Sequence, residues 1–151
     1  MSKGIWMEDL HVGDRFYSGD EIEVTAQEIM GFARAYDPQA GHVSEETAVD
    51  TVFKGLAASG WHTAAITMKL LVGLGFAGMI GTNVSLTWPS ATRPGDRLHI
   101  DVHVTGKRNS KTKPDRGVVD LEYETVNQTA EVRQRTQATV IVWHKGASQT
   151  R

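Results

Sequence analysis

A carboxylate and an imidazole lie five residues apart in the sequence, at Asp37 and His42. An imidazole titrates near neutral pH and a carboxylate can orient or activate a water molecule, so this pair is suited to adding water to a substrate or removing it. An ordinary interpretation also exists, because an Asp before Pro38 commonly ends a helix by turn chemistry and a histidine in a loop is usually solvated. The spacing alone leaves both interpretations open.

A second candidate is the sequence Ser59, Gly60 and Trp61 at the start of a long apolar segment. The first backbone N–H groups of a helix have no partner within the helix, and the helix dipole adds positive charge there. These donors could hold a thioester carbonyl and the enolate oxygen that develops from it, and each such donor contributes about 2.7 to 4 kcal/mol in a transition state. The alternative is an ordinary capped helix in which Gly60 is present for packing.

A basic loop is the third candidate, since residues 107–116 contain five cations and one carboxylate. This loop could meet the phosphates of an acyl carrier, or it is an exposed hairpin loop with no such role. The neighbouring turn from Arg93 to Asp96 has Pro94 and Gly95 in type II positions, and we assign it no function.

The sequence does not indicate a metal or a nucleotide cofactor. The side chains that come closest to a metal-ligand cluster are Asp37, His42, Glu45, Glu46 and His62. They form neither an HExxH nor a DxDxDG motif, and paired glutamates at a helix start are explained by the helix dipole. Gly73, Gly75 and Gly78 have GxGxxG spacing, but they end a helix, whereas a dinucleotide-binding motif follows a strand. We therefore expect no metal and no cofactor.

Three helices are predicted. A capping box and helical apolar spacing predict the first over residues 25–37, where Pro38 disfavours the α conformation in the residue before it. A second, short helix is predicted to run from residue 44 to near residue 55. Residues 61–74 are apolar on nearly every face, which predicts a helix covered on most sides.

Alternating apolar and polar residues predict the strands. They fall at residues 14–17, 21–24, 98–105, 119–124 and 131–143. The last three are consecutive with turns between them, so antiparallel pairing is predicted. The predicted fold class is therefore α+β, with an antiparallel sheet wrapped around one long, buried central helix. No repeat or linker divides the chain, so residues 1–151 are expected to form a single domain.

Composition excludes several classes of protein. The chain has a formal charge of −2 and no cysteine, which disfavours nucleic-acid binding and excludes disulfides, thiolate nucleophiles and iron–sulfur clusters. Residues 55–81 carry only His62 and Lys69 as ionisable groups, but Lys69 near the middle and the glycines at the end argue against a membrane span. Residues 1–16 lack the apolar region of a signal peptide, so a cytoplasmic location is expected.

Four segments together resemble the MaoC-like dehydratases, relatives of the (R)-specific enoyl-CoA hydratases. They are YDPQAGHVSEETA at residues 36–48, GLAASGWHTAAITMKLLVG at 55–73, SLTWPSATRPGDRLHIDVHV at 85–104 and VNQTAEV at 126–132. The resemblance covers nearly the whole chain and implies the hot-dog fold. It also implies a homodimer or higher homo-oligomer, in which the two sheets of a dimer join edge to edge.

The resemblance implies specific roles. Asp37 and His42 match the family's catalytic pair, and Gly60 matches the glycine whose N–H helps form the oxyanion hole. The implied reaction is the reversible hydration of a trans-2-enoyl thioester to a (3R)-hydroxyacyl thioester, carried by CoA or by an acyl-carrier protein. The residues expected to bind the substrate are Ser59, Trp61 and Thr63, the last at a position where the family often has a small hydroxyl residue.

The segment between the paired residues departs from the stricter hydratase motif of Asp, any residue, Asn, Pro, an aliphatic residue and His. Here Gln39 replaces the Asn, while Ala40 and Gly41 replace the Pro and the aliphatic residue. The replacement predicts a more flexible loop, and positional errors of about 1 Å can cost on the order of a hundredfold in rate.

Two other functions fit the same fold. Many hot-dog thioesterases use an Asp or Glu on the central helix, and residues 51–95 contain neither, although Asp37 could still activate a water at the carbonyl. The chain could also be a non-catalytic subunit that binds acyl thioesters, which the altered segment between Asp37 and His42 would permit.

Overall fold

A computed structural model describes residues 4–147 of the chain. In chain order its elements are a 3-10 helix (Met7–Asp9), β1 (Arg15–Tyr17), β2 (Ile22–Glu23), α1 (Ala26–Tyr36), α2 (Ala40–Val43), α3 (Glu45–Ala48), α4 (Gly60–Gly73), β3 (Ile80–Thr87), β4 (Arg97–Asn109), β5 (Arg116–Val126) and β6 (Val132–Trp143). The four α-helices lie between the two short strands and the four long ones.

The strands form one antiparallel sheet in the order β1–β4–β5–β6–β3, and β2 also pairs with β4. Apolar side chains alternate with polar ones along the three central strands because one face of the sheet is buried and the other is not. The buried members are Leu98, Ile100, Val102 and Val104 on β4, Val119, Leu121 and Tyr123 on β5, and Ala138, Val140 and Val142 on β6. They form one core with Ile66, Leu70 and Leu71 of α4. A sheet curled around a central helix is the hot-dog fold, as predicted.

Helix α1 begins and ends where the sequence predicts. The Thr25 hydroxyl accepts a hydrogen bond from the Glu28 N–H at 3.1 Å, which caps the N-terminus. The Glu28 carboxylate accepts from that same hydroxyl at 2.8 Å, so the reciprocal capping box is not formed. Asp37 is the C-terminal cap, and its N–H donates to the carbonyl of Ala33 at 2.8 Å.

The segment after α1 differs from the predicted flexible loop. Residues Ala40–Val43 form the helical turn α2, and the short helix that follows ends at Ala48, well before Gly55. Gly41 is buried, and a Cβ at this position would come within 2.6 Å of the Phe53 ring. The glycine therefore permits close packing of Phe53 against α2, which makes this segment compact.

Helix α4 is covered on one face only, so the expectation of cover on most sides is wrong for the single chain. His62, Thr63, Ile66, Thr67, Leu70 and Leu71 are buried. Trp61, Met68 and Val72 are exposed, with Ala65 between them at helical spacing. No helix within residues 4–147 is both long and apolar enough to cross a membrane.

Strand β3 was not predicted from the sequence. It pairs with β6 along one side and forms an edge of the sheet. All of its residues except Leu86 are exposed, including Ile80 and Val84. A strand that buries neither face carries no clear alternation of apolar and polar residues, which is the signal that identified the other long strands.

Candidate active site

Asp37 lies at the C-terminus of α1, where both oxygens of its carboxylate accept hydrogen bonds. The Ser59 hydroxyl donates to Oδ2 at 2.6 Å and the Gln39 side-chain amide donates to Oδ1 at 2.7 Å. These hydrogen bonds, that of Ser59 first, lower the pKa of Asp37 below its ordinary value of 3.8 in spite of partial burial. Asp37 is therefore a carboxylate at neutral pH.

His42 is buried on α2, and one hydrogen bond determines which ring nitrogen carries the proton. Its Nδ1 lies 2.7 Å from the carbonyl oxygen of Ala57. A carbonyl only accepts, so Nδ1 carries the hydrogen, and Nε2 of the neutral ring has a free lone pair. Phe53 packs beside the ring, with centroids 5.2 Å apart.

The carboxylate and the imidazole face each other. His42 Nε2 lies 3.7 Å from Asp37 Oδ2, which is close enough for electrostatic attraction and too long for a direct hydrogen bond. A water molecule or a substrate hydroxyl between the two atoms can hydrogen-bond to both. The pairing predicted from the sequence is therefore present, in a geometry suited to holding one small oxygen species.

The N-terminus of α4 adjoins Asp37 through Ser59. Its hydroxyl, besides donating to Asp37, accepts from the Trp61 N–H at 3.2 Å and so caps the helix. The Gly60 N–H has no acceptor among residues 4–147, and it is available to a ligand. A Cβ at Gly60 would lie 2.5 to 2.7 Å from three ring atoms of Trp88, so this glycine also makes room for the indole.

A cavity of about 540 Å³ joins these groups. Its lining includes Asp37, His42, Gly60, Trp61, Thr63 and Trp88. Thr63 is buried and its hydroxyl is already hydrogen-bonded to that of Thr92 at 2.8 Å, so it contributes to the wall. Trp61 is 61% exposed and lies at the rim. The volume is in the range of small-molecule sites.

A larger depression of about 860 Å³ lies elsewhere, on the outer face of the sheet. Two of its acidic side chains are in ion pairs, Glu124 with Arg135 in the lining and Asp101 with the neighbouring Arg15. It contains none of the residues predicted to act in chemistry. We take the smaller cavity as the candidate active site, because it combines the Asp37–His42 pair with the N-terminus of α4.

Arg93, to which we assigned no function from the sequence, holds the main-chain segment that precedes Ala57, the residue whose carbonyl accepts from His42. Its guanidinium donates to the carbonyls of Phe53, Gly55 and Leu56 at 2.6, 3.1 and 3.3 Å. Those carbonyls lie within the four residues before Ala57. Binding to main-chain carbonyls leaves no side-chain pattern in the sequence, so this role could not have been identified there.

A buried ion pair supports the same region. Arg133 donates to Asp96 Oδ2 from Nε at 2.9 Å, and Asn127 donates to Oδ1 at 3.1 Å. Burial raises the pKa of Asp96, but the hydrogen bonds from Arg133, the Arg93 N–H and Asn127 outweigh it, so the pKa lies below 3.8. The pair anchors the turn that ends the cavity-lining segment of residues 88–93.

The basic loop lies far from this cavity within the chain. Residues 109 and 117 pair at one end of the β4–β5 hairpin, whereas Arg97 and Val126 lie near the other end, about 40 Å away at roughly 3.3 Å per residue. Lys107 donates to the Leu10 carbonyl and Arg108 pairs with Asp120.

Among residues 4–147 no group of three side chains is arranged to hold a metal ion.

Residues 9–127 match the family described as MaoC-like domain. The chain is 49% identical to the MaoC-like dehydratase from Rhodospirillum rubrum, with a TM-score of 0.90, and the match covers 95% of this chain and 100% of that one. It is 32% identical to the protein YdeM of Bacillus subtilis (strain 168) over 81% of this chain and 87% of that one.

A more distant similarity concerns the fold alone. The (R)-hydratase from A. caviae involved in PHA biosynthesis is 24% identical, with a TM-score of 0.72 over 88% of this chain and 97% of that one. Fold and site thus define a hot-dog protein with a cavity at the start of its central helix that holds Asp37 and His42 among aromatic side chains. The chain belongs to the MaoC-like dehydratase family, whose chemistry is hydration and dehydration.

Proposed function

We propose that this protein catalyses the reversible hydration of a trans-2-enoyl thioester, carried by CoA or an acyl-carrier protein, to a (3R)-hydroxyacyl thioester. The observation that carries the proposal is the approach of His42 Nε2 to Asp37 Oδ2, 3.7 Å apart, in the cavity that begins at the free N–H of Gly60. Family membership supports the reaction class, and the substrate is our inference.

The geometry divides the work between the two side chains. Asp37, whose pKa is lowered, is a weak base and serves as a fixed charge that orients the water. His42 Nε2, with its lone pair, accepts a proton from that water as the oxygen bonds to C3 of the substrate. The imidazolium then donates the proton to C2, so that one water is added and no group is left altered.

The electron pair displaced from the double bond passes through the thioester. It forms an enolate whose oxygen accepts a hydrogen bond from the Gly60 N–H, aided by the dipole of α4. Ser59 holds Asp37 and caps the helix, while Trp61 and Thr63 form parts of the surface that the acyl group contacts. Dehydration follows the same steps in reverse.

Loss of the conjugated enoyl-thioester absorbance with crotonyl-CoA tests the proposal. Asp37→Asn and His42→Ala are each expected to lower kcat/KM by about 10²- to 10⁴-fold, the usual contribution of a positioned acid or base. Asp50→Asn is the matched control, because Asp50 is an exposed carboxylate outside the cavity lining and its replacement should leave the rate unchanged.

Full hydratase activity in folded Asp37→Asn protein would refute the proposal. Release of free CoA from saturated acyl-CoA would instead identify a thioesterase. A rise in melting temperature with acyl-CoA, without turnover of any kind, would identify a binding subunit.

We further propose that the functional molecule is a homodimer. Within residues 4–147 strand β3 pairs with β6 only, and an edge left unpaired is prone to pair with another strand. The exposed apolar side chains of α4, Trp61, Met68 and Val72, form a stripe that a second copy would bury. Edge pairing of two copies through β3 would satisfy both surfaces.

A further inference from the structure

Trp88 covers the first turn of the central helix. A Cβ at Gly60 would be almost equidistant from three atoms of the indole, at 2.5, 2.6 and 2.7 Å, so the ring presents its face to this residue. The Cβ of a helical residue points toward the N-terminus of the helix. The indole therefore lies on the side from which a ligand approaches the Gly60 N–H.

Two hydrogen bonds, one half-buried and the next one buried, hold this ring, and the Trp88 side chain is 40% exposed in the single chain. Trp88 Nε1 donates to Gln134 Oε1 at 3.0 Å, and Gln134 Nε2 donates to Thr136 Oγ1 at 3.0 Å. Gln134 is only 2% exposed, so moving the indole would leave a buried acceptor unpaired, at a cost of about 1 to 3 kcal/mol. The edge of one indole also contacts the face of the other at Trp61, with centroids 5.3 Å apart.

A second aromatic ring stands beside the other half of the site. Phe53 packs on Gly41 and beside the His42 ring, as Trp88 packs on Gly60. Both rings line the cavity. An acyl group with its carbonyl oxygen at the Gly60 N–H and its C3 at His42 Nε2 must therefore extend past rings that are held in place by packing and hydrogen bonds.

We infer that Trp88 determines acyl-chain specificity, restricting the site to short, unbranched trans-2-enoyl thioesters. The flat indole face leaves room for a planar enoyl group and blocks the path of a long or branched chain. This inference rests on the proposed function for its substrate class, but the acyl pocket itself can be tested without turnover.

The test measures turnover and binding in the same proteins. Hydration of crotonyl-CoA is compared with that of trans-2-octenoyl-CoA, and the affinity for butyryl-CoA is compared with that for octanoyl-CoA by titration calorimetry. Wild-type protein is expected to favour the short member of each pair. Trp88→Leu is expected to raise the long-to-short ratio of kcat/KM, and of affinity, by roughly tenfold or more, since a change of one methylene in a pocket is worth about 10- to 200-fold.

Trp88→Phe provides a second variant that keeps a ring over Gly60. It should shift both ratios in the same direction by less, and it tests the inference if the leucine variant does not fold. The oligomeric mass of each variant is compared with wild type by light scattering, so that a change of assembly is not mistaken for a change of specificity.

The outcomes separate the two proposals. Hydration with ratios that neither variant changes would overturn the role of Trp88 and leave the hydratase in place. Absence of hydration, with binding ratios that shift as expected, would overturn the hydratase and support the role of Trp88. Absence of both binding and turnover would overturn both.

Discussion

Two neutral side chains, Ser59 and Gln39, keep Asp37 ionised by donating hydrogen bonds to its carboxylate. Ser59, which donates the shortest of its hydrogen bonds, is 22 residues away, and Gln39 stands where the stricter motif has an asparagine. The spacing of Asp37 and His42 in the sequence suggested an acid/base pair, and the structure brings the two side chains together. The sequence could not reveal the contact from Ser59 or the tautomer of His42, because these depend on how the segment that contains Ala57 and Ser59 packs against α1 and α2.

Removing the Ser59 hydroxyl should change the pH dependence of catalysis. The hydrogen bond from Ser59 lowers the pKa of Asp37 below the ordinary Asp value of 3.8, so the carboxylate stays charged to lower pH than an ordinary Asp does. In Ser59→Ala the pKa of Asp37 rises, so the inflection that Asp37 itself contributes to the acidic limb of kcat/KM against pH moves to higher pH. The rate at alkaline pH, where Asp37 is ionised in both proteins, should change much less.

The matched control for this prediction is another serine that caps a helix. Ser44 accepts from the Thr47 N–H at 3.1 Å at the start of α3, and it does not contact Asp37. Both alanine variants should lose about 1 kcal/mol of stability with their caps. Only Ser59→Ala should shift the acidic limb, and an equal shift in Ser44→Ala would show that the effect is structural.

His62 should make the fold sensitive to acid. It is buried against Phe32, with ring centroids 4.7 Å apart, and its Nδ1 has no hydrogen-bond partner among residues 4–147. Burial lowers the pKa of His62 below 6.5, and nearby Glu28 opposes this only in part. The unfolded chain therefore binds more protons than the folded protein just below pH 6.5, and stability falls as the pH falls through the folded-state pKa.

Urea unfolding of wild-type and His62→Phe protein above and below pH 6.5 would measure this effect. The phenylalanine ring keeps the stacking on Phe32 and cannot be protonated. The free energy of unfolding of the His62→Phe protein should fall less than that of the wild type as the solution is acidified. Parallel pH dependence in the two proteins would contradict the assignment.

At the scale of the elements, the glycines of the helices perform different tasks. Gly31 lies exposed within α1, and a Cβ there would meet no atom within 4 Å. Gly31→Ala should raise stability by about 0.5 to 1 kcal/mol, or roughly 2 to 4 °C per kcal/mol in melting temperature, because alanine loses less conformational entropy in a helix. Calorimetry of the two proteins checks this.

Gly41 provides the opposite case for the same substitution. Its Cβ would come within 2.6 Å of Phe53, so Gly41→Ala should destabilise the protein by about 1 to 3 kcal/mol and displace the wall beside His42. Equal effects of the two substitutions would mean that α2 can adjust more freely than the packing of Phe53 indicates.

The elements that the sequence identified are those whose residues carry a local signal. Thr25 and Pro38 define α1, and alternation defines β4, β5 and β6, because these features act between near neighbours. The turn α2 lacked such a signal. Gly41 lies in this turn and, having no Cβ, leaves room for the ring of Phe53, which follows it by twelve residues. The bounds of α2 depend on tertiary packing that local patterns do not encode.

At the scale of the whole molecule, α4 has more apolar surface than the fold of a single chain buries. The sequence predicted a helix covered on most sides, and the fold covers only the face that carries Ile66, Leu70 and Leu71. The opposite face is exposed although it is apolar. The pattern is explained if it was shaped by an assembly in which a second copy covers that face.

A charge placed at the exposed edge of the sheet should separate such an assembly. Val84 lies on β3, is 49% exposed and pairs with Ala138 of β6, so its side chain is on the side of the sheet that faces α4. Lysine on an edge strand opposes pairing with another strand. Val84→Lys is therefore expected to convert a dimer into monomers in sedimentation equilibrium, and to remove the dependence of melting temperature on protein concentration. Val12→Lys, at a valine 63% exposed beside the outer face of the sheet, should remain dimeric. A Val84→Lys protein that stays dimeric would place the interface elsewhere and leave the apolar face of α4 without a partner.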